Sequence, residues 1–258
     1  MSEELRYDHL VCVKNKETIV SLDHLSVHKG DIYGIMGANG AGKSTLLQAM
    51  ALLDPPAEGS VVFQGNSLPI EKPPLAVRRR WACVFQQAHR FVGSVYDNAA
   101  LGLKLRKIPK NVVRERVMHW LETFRIGHLA GQNAGSLSGG EAQRMNLARA
   151  FALEPDVLFL DEPFSALDFP TKIALLRDLQ TILNETKQTT FLVSHDLTDV
   201  EMLASHLMFI QNGTVHQTGR LHDVFHAPSK ELKGFLQPWR TARSAELHTL
   251  EESTPKDR

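Results

Sequence analysis

The sequence predicts an α/β fold with a mostly parallel sheet, on three observations. Stretches that read as strands alternate with stretches that read as helices along most of the chain. Several of those strands, such as VLFL over Val157–Leu160, are apolar at every position, as strands covered on both faces are. A glycine-rich loop, GANGAGKST from Gly37 to Thr45, lies between a strand and a helix, at the kind of turn where open α/β sheets bind ligands.

The elements follow in order. From about His9 to Val27 apolar and polar residues alternate, with β-branched members, so strands lead to a turn at Lys29-Gly30; these read as a separate antiparallel patch. A strand over Asp31–Met36 enters the glycine loop, and a helix from about Lys43 to Leu53 leaves it, stopped by Asp54-Pro55-Pro56. Ser60–Gln64 and Ala82–Gln86 read as strands on either side of a connection at Pro73-Pro74. Between Ser94 and Ile126 apolar residues such as Leu101, Leu105, Val113, Val117, Leu121 and Phe124 recur at helical spacing, which marks an inserted helical lobe. A helix after Ser138, the strand at Val157, a helix from about Pro170, a strand over Thr189–Val193 and a helix after Asp196 follow. Asn212-Gly213 between apolar pairs signals a hairpin. From Gln237 onward the chain turns polar and charged, so 237–258 is expected to be a frayed tail.

At 258 residues the chain can bury a full-sized core. Basic and acidic residues balance at 29 each, so no global field favours nucleic acid, and no nucleic-acid partner is expected. Two cysteines with no ligand spacing fit a reducing compartment. The N-terminal MSEELRYDHL has neither a basic leader nor an apolar core, so no secretory signal is expected there, and no apolar run is long enough to span a bilayer. Arg78-Arg79-Arg80 reads as a solvated face, and His222 with His226 as surface histidines rather than a zinc pair.

Three places carry chemistry. Gly37, Gly42, Lys43 and Ser44 fit the phosphate-cradling pattern: glycines let amides turn inward, a helix start adds positive charge, Lys43 reaches outer phosphates and the Ser44 hydroxyl can ligate Mg²⁺. Asp161 and Glu162 stand where an apolar strand emerges. Asp161 is placed to hold the metal with Ser44, and Glu162 to polarise an attacking water. Ser138-Gly139-Gly140-Glu141 satisfies a capping box, but a cap needs no paired glycines, and these suggest close approach of another molecule.

GANGAGKST, LSGGE, VLFLDEP, Ser165-Ala166-Leu167-Asp168 and Ser194-His195-Asp196, in this order, closely resemble the ATP-binding cassette (ABC) ATPases over about residues 8–225. The resemblance implies a P-loop NTPase core of the RecA-like kind with an antiparallel β subdomain and a helical subdomain. It also implies an ATPase domain over 1–236, its helical subdomain inserted at about 90–153. ATP and Mg²⁺ would be the cofactors. The nucleotide would be held by Gly37, Ala38, Asn39, Gly40, Ala41, Gly42, Lys43, Ser44 and Thr45 of one subunit and covered by Ser138, Gly139, Gly140 and Glu141 of a second subunit packed head to tail. Gln86 would sense the metal, which Ser44 and Asp161 also hold. His195 would steady the γ-phosphate and the water beside Glu162, and Asp168 would act across the interface. Glu141 stands where many members have Gln. No aromatic falls at Asn15 or Lys14 to stack adenine, and Tyr7 lies too early, which leaves Val13 or Val20 as aliphatic contacts.

The same resemblance implies the separate ATPase subunit of a bacterial importer, peripheral on the cytoplasmic face of the membrane. It would be coupled to a transmembrane permease and, through it, to an extracytoplasmic solute-binding protein. The run from Val84 to Lys104 would receive the permease, with Phe91, Val92, Tyr96 and Leu101 either as its contacts or as core of the helical lobe. SVYDN followed by GLKLR resembles importers of tungstate and other oxyanions. A soluble family member acting on a cytosolic assembly, such as an iron-sulfur scaffold, is the alternative.

Overall fold

One ten-stranded sheet organises the chain, in the order β5-β4-β1-β2-β10-β9-β3-β8-β7-β6. The computed structural model describes residues 3–239 and 241. Its strands are β1 (Glu3–Lys14), β2 (Glu17–His28), β3 (Ile32–Gly37), β4 (Glu58–Phe63), β5 (Asn66–Leu68), β6 (Trp81–Val84), β7 (Val157–Asp161), β8 (Thr189–Val193), β9 (His206–Gln211) and β10 (Thr214–Arg220). The helices are α1 (Lys43–Met50), α2 (Leu75–Arg78), α3 (Val95–Leu105), α4 (Lys110–Thr123), α5 (Gly139–Phe151), α6 (Phe169–Thr186), α7 (Leu197–Leu203) and α8 (Leu221–His226). Residues 230–239 are also helical, so the start of the expected frayed tail is ordered helix, with Trp239 packed on Phe235. Residue 240 and residues 242–258 of that tail lie outside the described residues.

The parallel part runs β9-β3-β8-β7-β6, and its strands are almost wholly buried because both faces are covered. On β7, Leu158 and Leu160 face a core shared with α3, α4, α5 and α6, while Val157 and Phe159 face a second core beneath α1 and the antiparallel strands. Phe159, Phe191 and Tyr33 stack across three adjacent strands, at centroid separations of 5.2 and 5.8 Å. Each such ring fully buried contributes about 1.5–3 kcal/mol of hydrophobic stabilisation.

The antiparallel strands are not a separate patch. β2 meets β10 in parallel through the pair Thr214 and Ser21, with the Ser21 amide donating to the Gly213 carbonyl at 2.9 Å, so the two regions are one sheet. The Asn212-Gly213 hairpin forms as expected, but its tip also makes this joint. α1 stops at Met50, short of Leu53, because Leu52 turns to φ 52° before the prolines are reached. The strand expected over Ala82–Gln86 ends at Val84, which frees Phe85 and Gln86 from the sheet. β5 and α2 were not expected; with three and four residues they are too short to show a period.

Candidate active site

β3 delivers the glycine loop at its C-terminal end. A Cβ on Gly37 would lie 2.1 Å from the Ile210 carbonyl oxygen, so the backbone of β9 leaves no room there for any other residue. Gly42, at φ 97°, caps α1 without a side-chain hydrogen bond, and its own Cβ would lie 2.8 Å from the Cβ of Val20. The first amides of α1 are thus left without a capping side chain, which suits them to an anion. Lys43 is buried, its Nζ donating to the carbonyls of Gly37 at 2.9 Å and Ala38 at 3.0 Å. Burial draws its pKa below the usual lysine value, against the pull of Glu162 and Asp161.

The carboxylates converge on this loop from β7. Ser44 Oγ donates to Asp161 Oδ1 at 2.8 Å. Burial raises the Asp161 pKa, and the bond from Ser44 opposes the rise. Hydroxyl, carboxylate and the nearby Gln86 amide are hard oxygen donors, the set that suits Mg²⁺ in company with phosphate oxygens. Glu162 follows at φ 45°, a left-handed conformation uncommon outside glycine and asparagine, and its amide donates to the Val193 carbonyl at 3.0 Å. Its Oε2 lies 3.2 Å from His195 Nδ1 and accepts from Gln86 Nε2 at 3.4 Å. Lys43, Ser44, Asp161, Glu162, Gln86 and His195 therefore form one cluster at the C-terminal edge of the parallel strands.

Ser138–Glu141 stands apart. Among the described residues no hydrogen bond or ion pair joins it to that cluster. Ser138 and Glu141 form a full capping box on α5: the Ser138 amide donates to Glu141 Oε2 at 2.8 Å and the Glu141 amide to Ser138 Oγ at 3.3 Å. The paired glycines have different causes. A Cβ on Gly140 would lie 2.7 Å from Thr171 Cγ2, so this glycine serves the packing of α5 on α6 within the chain. A Cβ on Gly139 would find only the Ala166 carbonyl, at 3.9 Å, so only Gly139 is open to an outside molecule.

Asp168 is the N-cap of α6, accepting from the Thr171 amide at 3.1 Å with Pro170 in the first turn. Gly139, Gln86, Gln87 and the 165–167 segment line a groove of about 620 Å³ between the loop after β6 and the start of α5. Tyr7 is fully buried, its hydroxyl bonded to the Met50 carbonyl, and Val20 is equally buried. Of Val13 and Val20, the aliphatic contacts expected for adenine, Val13 is exposed. Phe91 and Val92 are exposed, whereas Tyr96 and Leu101 are partly buried, Tyr96 against the helical core.

Sequence reasoning missed the groups behind His195. Lys172 Nζ lies 2.6 Å from both Asp196 Oδ2 and Asp199 Oδ1, and Ser194 Oγ donates to Asp199 Oδ2 at 2.6 Å. The D-x-x-D spacing of Asp196 and Asp199 was the available signal.

The chain matches the family described as "ABC transporter" over residues 21–165. It is 38% identical over 213 residues to the sulfate/thiosulfate import ATP-binding protein CysA of Mycobacterium tuberculosis, a match covering 81% of this chain and 60% of that one. It is 36% identical over 229 residues to the methionine import ATP-binding protein MetN 1 of Listeria monocytogenes, covering 85% and 68%. The chain thus spans about 60% of the length of the sulfate/thiosulfate relatives. Among solved structures, cbiO1 of Clostridium perfringens, part of the ABC transporter complex cbiONQ, superposes with a TM-score of 0.81 at 26% identity, over 96% of this chain and 100% of that one. The ATP-binding cassette MJ0796, a dimer in a post-hydrolysis state bound to ADP and Pi, gives 0.75 at 25% identity, over 84% and 98%.

Proposed function

From the premise that this chain belongs to the ABC transporter family, we propose that it binds and hydrolyses ATP to drive solute import through a separate membrane permease. The carrying observation is the convergence of Lys43, Ser44, Asp161, Glu162 and His195 beside a helix start that no side chain caps. In this reading the amides of Gly37–Thr45 and the Lys43 ammonium hold the phosphates. Ser44, Asp161 and Gln86 would hold Mg²⁺, which when bound would neutralise phosphate charge. Glu162 takes the proton of a water that attacks the γ-phosphorus as the bond to the bridging oxygen breaks. His195, tied to Glu162 through Nδ1, keeps Nε2 for the phosphate side.

The isolation of Ser138–Glu141 from this cluster supports a head-to-tail pair, in which Gly139 covers a neighbour's nucleotide and Asp168 acts across the interface. The dimeric cassette among the structural relatives supports the same arrangement. The ATPase domain would cover 1–236, with the lobe at about 90–153 meeting the permease on the cytoplasmic face of the membrane. Among the described residues no helix is long and apolar enough to cross it. A solute-binding protein outside the membrane would feed the permease. Sulfate and thiosulfate in one relative's name support a small oxyanion as cargo, tungstate included, while methionine names a competitor. Both are importer names, and the iron-sulfur scaffold alternative is set aside.

Glu162→Gln tests the reading. It is expected to keep ATP binding, lower turnover at least about 100-fold and accumulate paired subunits, since a general base contributes factors of this size. Wild-type turnover in that variant would remove Glu162 from the role. Uptake of labelled sulfate, tungstate and methionine in cells with and without the gene would decide the cargo.

A further inference from the structure

The ATPase reading uses His195 but leaves unexplained what holds it. Its neighbours on both sides are engaged. Ser194 is buried, donates to Asp199 Oδ2 at 2.6 Å and accepts from the Asp196 amide at 3.0 Å. Asp196 caps α7 by accepting from the Thr198 amide at 2.8 Å. Both carboxylates then meet one ammonium, Lys172 Nζ, at 2.6 Å each. Lys172 comes from another element: it stands one turn into α6, after the N-cap Asp168. Its side chain is 12% exposed and that of Asp199 4%, so the Lys172–Asp199 arm is shielded from water and from salt, while Asp196, 38% exposed, holds the solvent side.

Burial alone would lower the Lys172 pKa, yet Asp196 and Asp199 outweigh it and the value stands above the usual one. The ammonium is therefore charged throughout the neutral range, and the tie does not loosen there. Two carboxylates around one short-range cation also define a direction: α7, the 194–196 loop and the first turn of α6 are held at a fixed spacing.

We infer that Lys172 is a positioning residue for hydrolysis: it fastens the loop carrying His195 to the helix that begins at Asp168, so that the histidine is placed from the element that would face the second subunit. This rests on the ATPase reading above. A docked neighbour that moves the start of α6 would carry His195 with it toward or away from Glu162, which links assembly of the pair to the histidine's reach.

The test compares purified wild type with Lys172→Met, Lys172→Arg and the double variant Lys172→Met/Asp199→Asn, the last removing the carboxylate that Met would leave buried and unpaired. Steady-state ATPase is read as kcat and KM, together with the 15N resonances of the His195 imidazole. Lys172→Met is expected to lower kcat about 10- to 100-fold with KM for ATP within about 2-fold, the signature of an interaction made at the chemical step rather than in binding. Lys172→Arg should recover most of the loss. The double variant should unfold at the wild-type temperature, still turn over slowly and show displaced His195 resonances. Folded Lys172→Met or double variant with wild-type kcat would overturn the inference, as would a fall in kcat with His195 resonances unmoved. A wild-type protein without ATP turnover would instead sink the ATPase reading, and this inference with it.

Discussion

At the scale of single residues, Gly139 and Gly140 at the start of α5 separate helix packing from an open surface. Gly140→Ala drives a methyl to 2.7 Å from Thr171 Cγ2 on α6. The overpacking costs about 1–3 kcal/mol, against a gain of up to about 1 kcal/mol in helix propensity, so the variant is expected to unfold at lower temperature. Gly139→Ala meets nothing closer than 3.9 Å, so the same propensity gain is unopposed and the unfolding temperature should hold or rise slightly, while hydrolysis slows if a neighbour's phosphates approach there. Calorimetry and ATPase assays on both variants check this; a stability loss at Gly139 equal to that at Gly140 would contradict it. The motif residues were legible because each motif is contiguous and its spacing is set by one turn or one helix start. Lys172 was not, because its partners become neighbours only when α6 packs on α7. Nor could the sequence show that Tyr7 is consumed by the core, since a strand tyrosine reads the same whether its hydroxyl meets Met50 or a ligand.

At the scale of elements, α3 shows how a helix start carries a pH dependence. Ser94 and Asp97 form a capping box, and Asp97 also pairs with Lys104 at 2.8 Å. The bonds from Lys104 and Ser94 hold the Asp97 carboxyl at about 2, below its ordinary 3.8. A carboxyl depressed on folding adds stability that is complete above the unfolded value and fades as pH falls from about 4 to about 2. Asp97→Asn is expected to lower stability at neutral pH by no more than about 1 kcal/mol, because the pair is solvent-exposed and screened. The gap to wild type should close near pH 2, as denaturant titrations across that range would show; a gap that widens in acid would refute the assignment. Caps and long apolar stripes made α3, α4, α5 and α6 legible, whereas β5 and α2 have no room for a period. The end of α1 was misplaced because the left-handed turn at Leu52 has no glycine or proline to announce it.

At the scale of the whole molecule, the sheet's continuity hangs on the tip of one hairpin. A Cβ on Gly213 would lie 2.5 Å from the Ile19 carbonyl oxygen, and its φ of 73° disfavours other residues. Gly213→Val is therefore expected to destabilise the protein by about 1–3 kcal/mol and to raise amide exchange first in β1 and β2, with β7 and β8 keeping their protection. Uniform loss of protection across the sheet would show that the two regions open together. The α/β class was legible from strands buried on both faces, but strand order was not, because it depends on which crossovers pack, and no local spacing records that. Glu162 carries a last consequence. A glutamate held at φ 45° is less comfortable than glycine or asparagine would be, so selection for robustness alone would replace it. With Glu162 as the proposed base, lineages screened only for thermal endurance should drift toward sturdier chains that bind nucleotide and have lost its turnover.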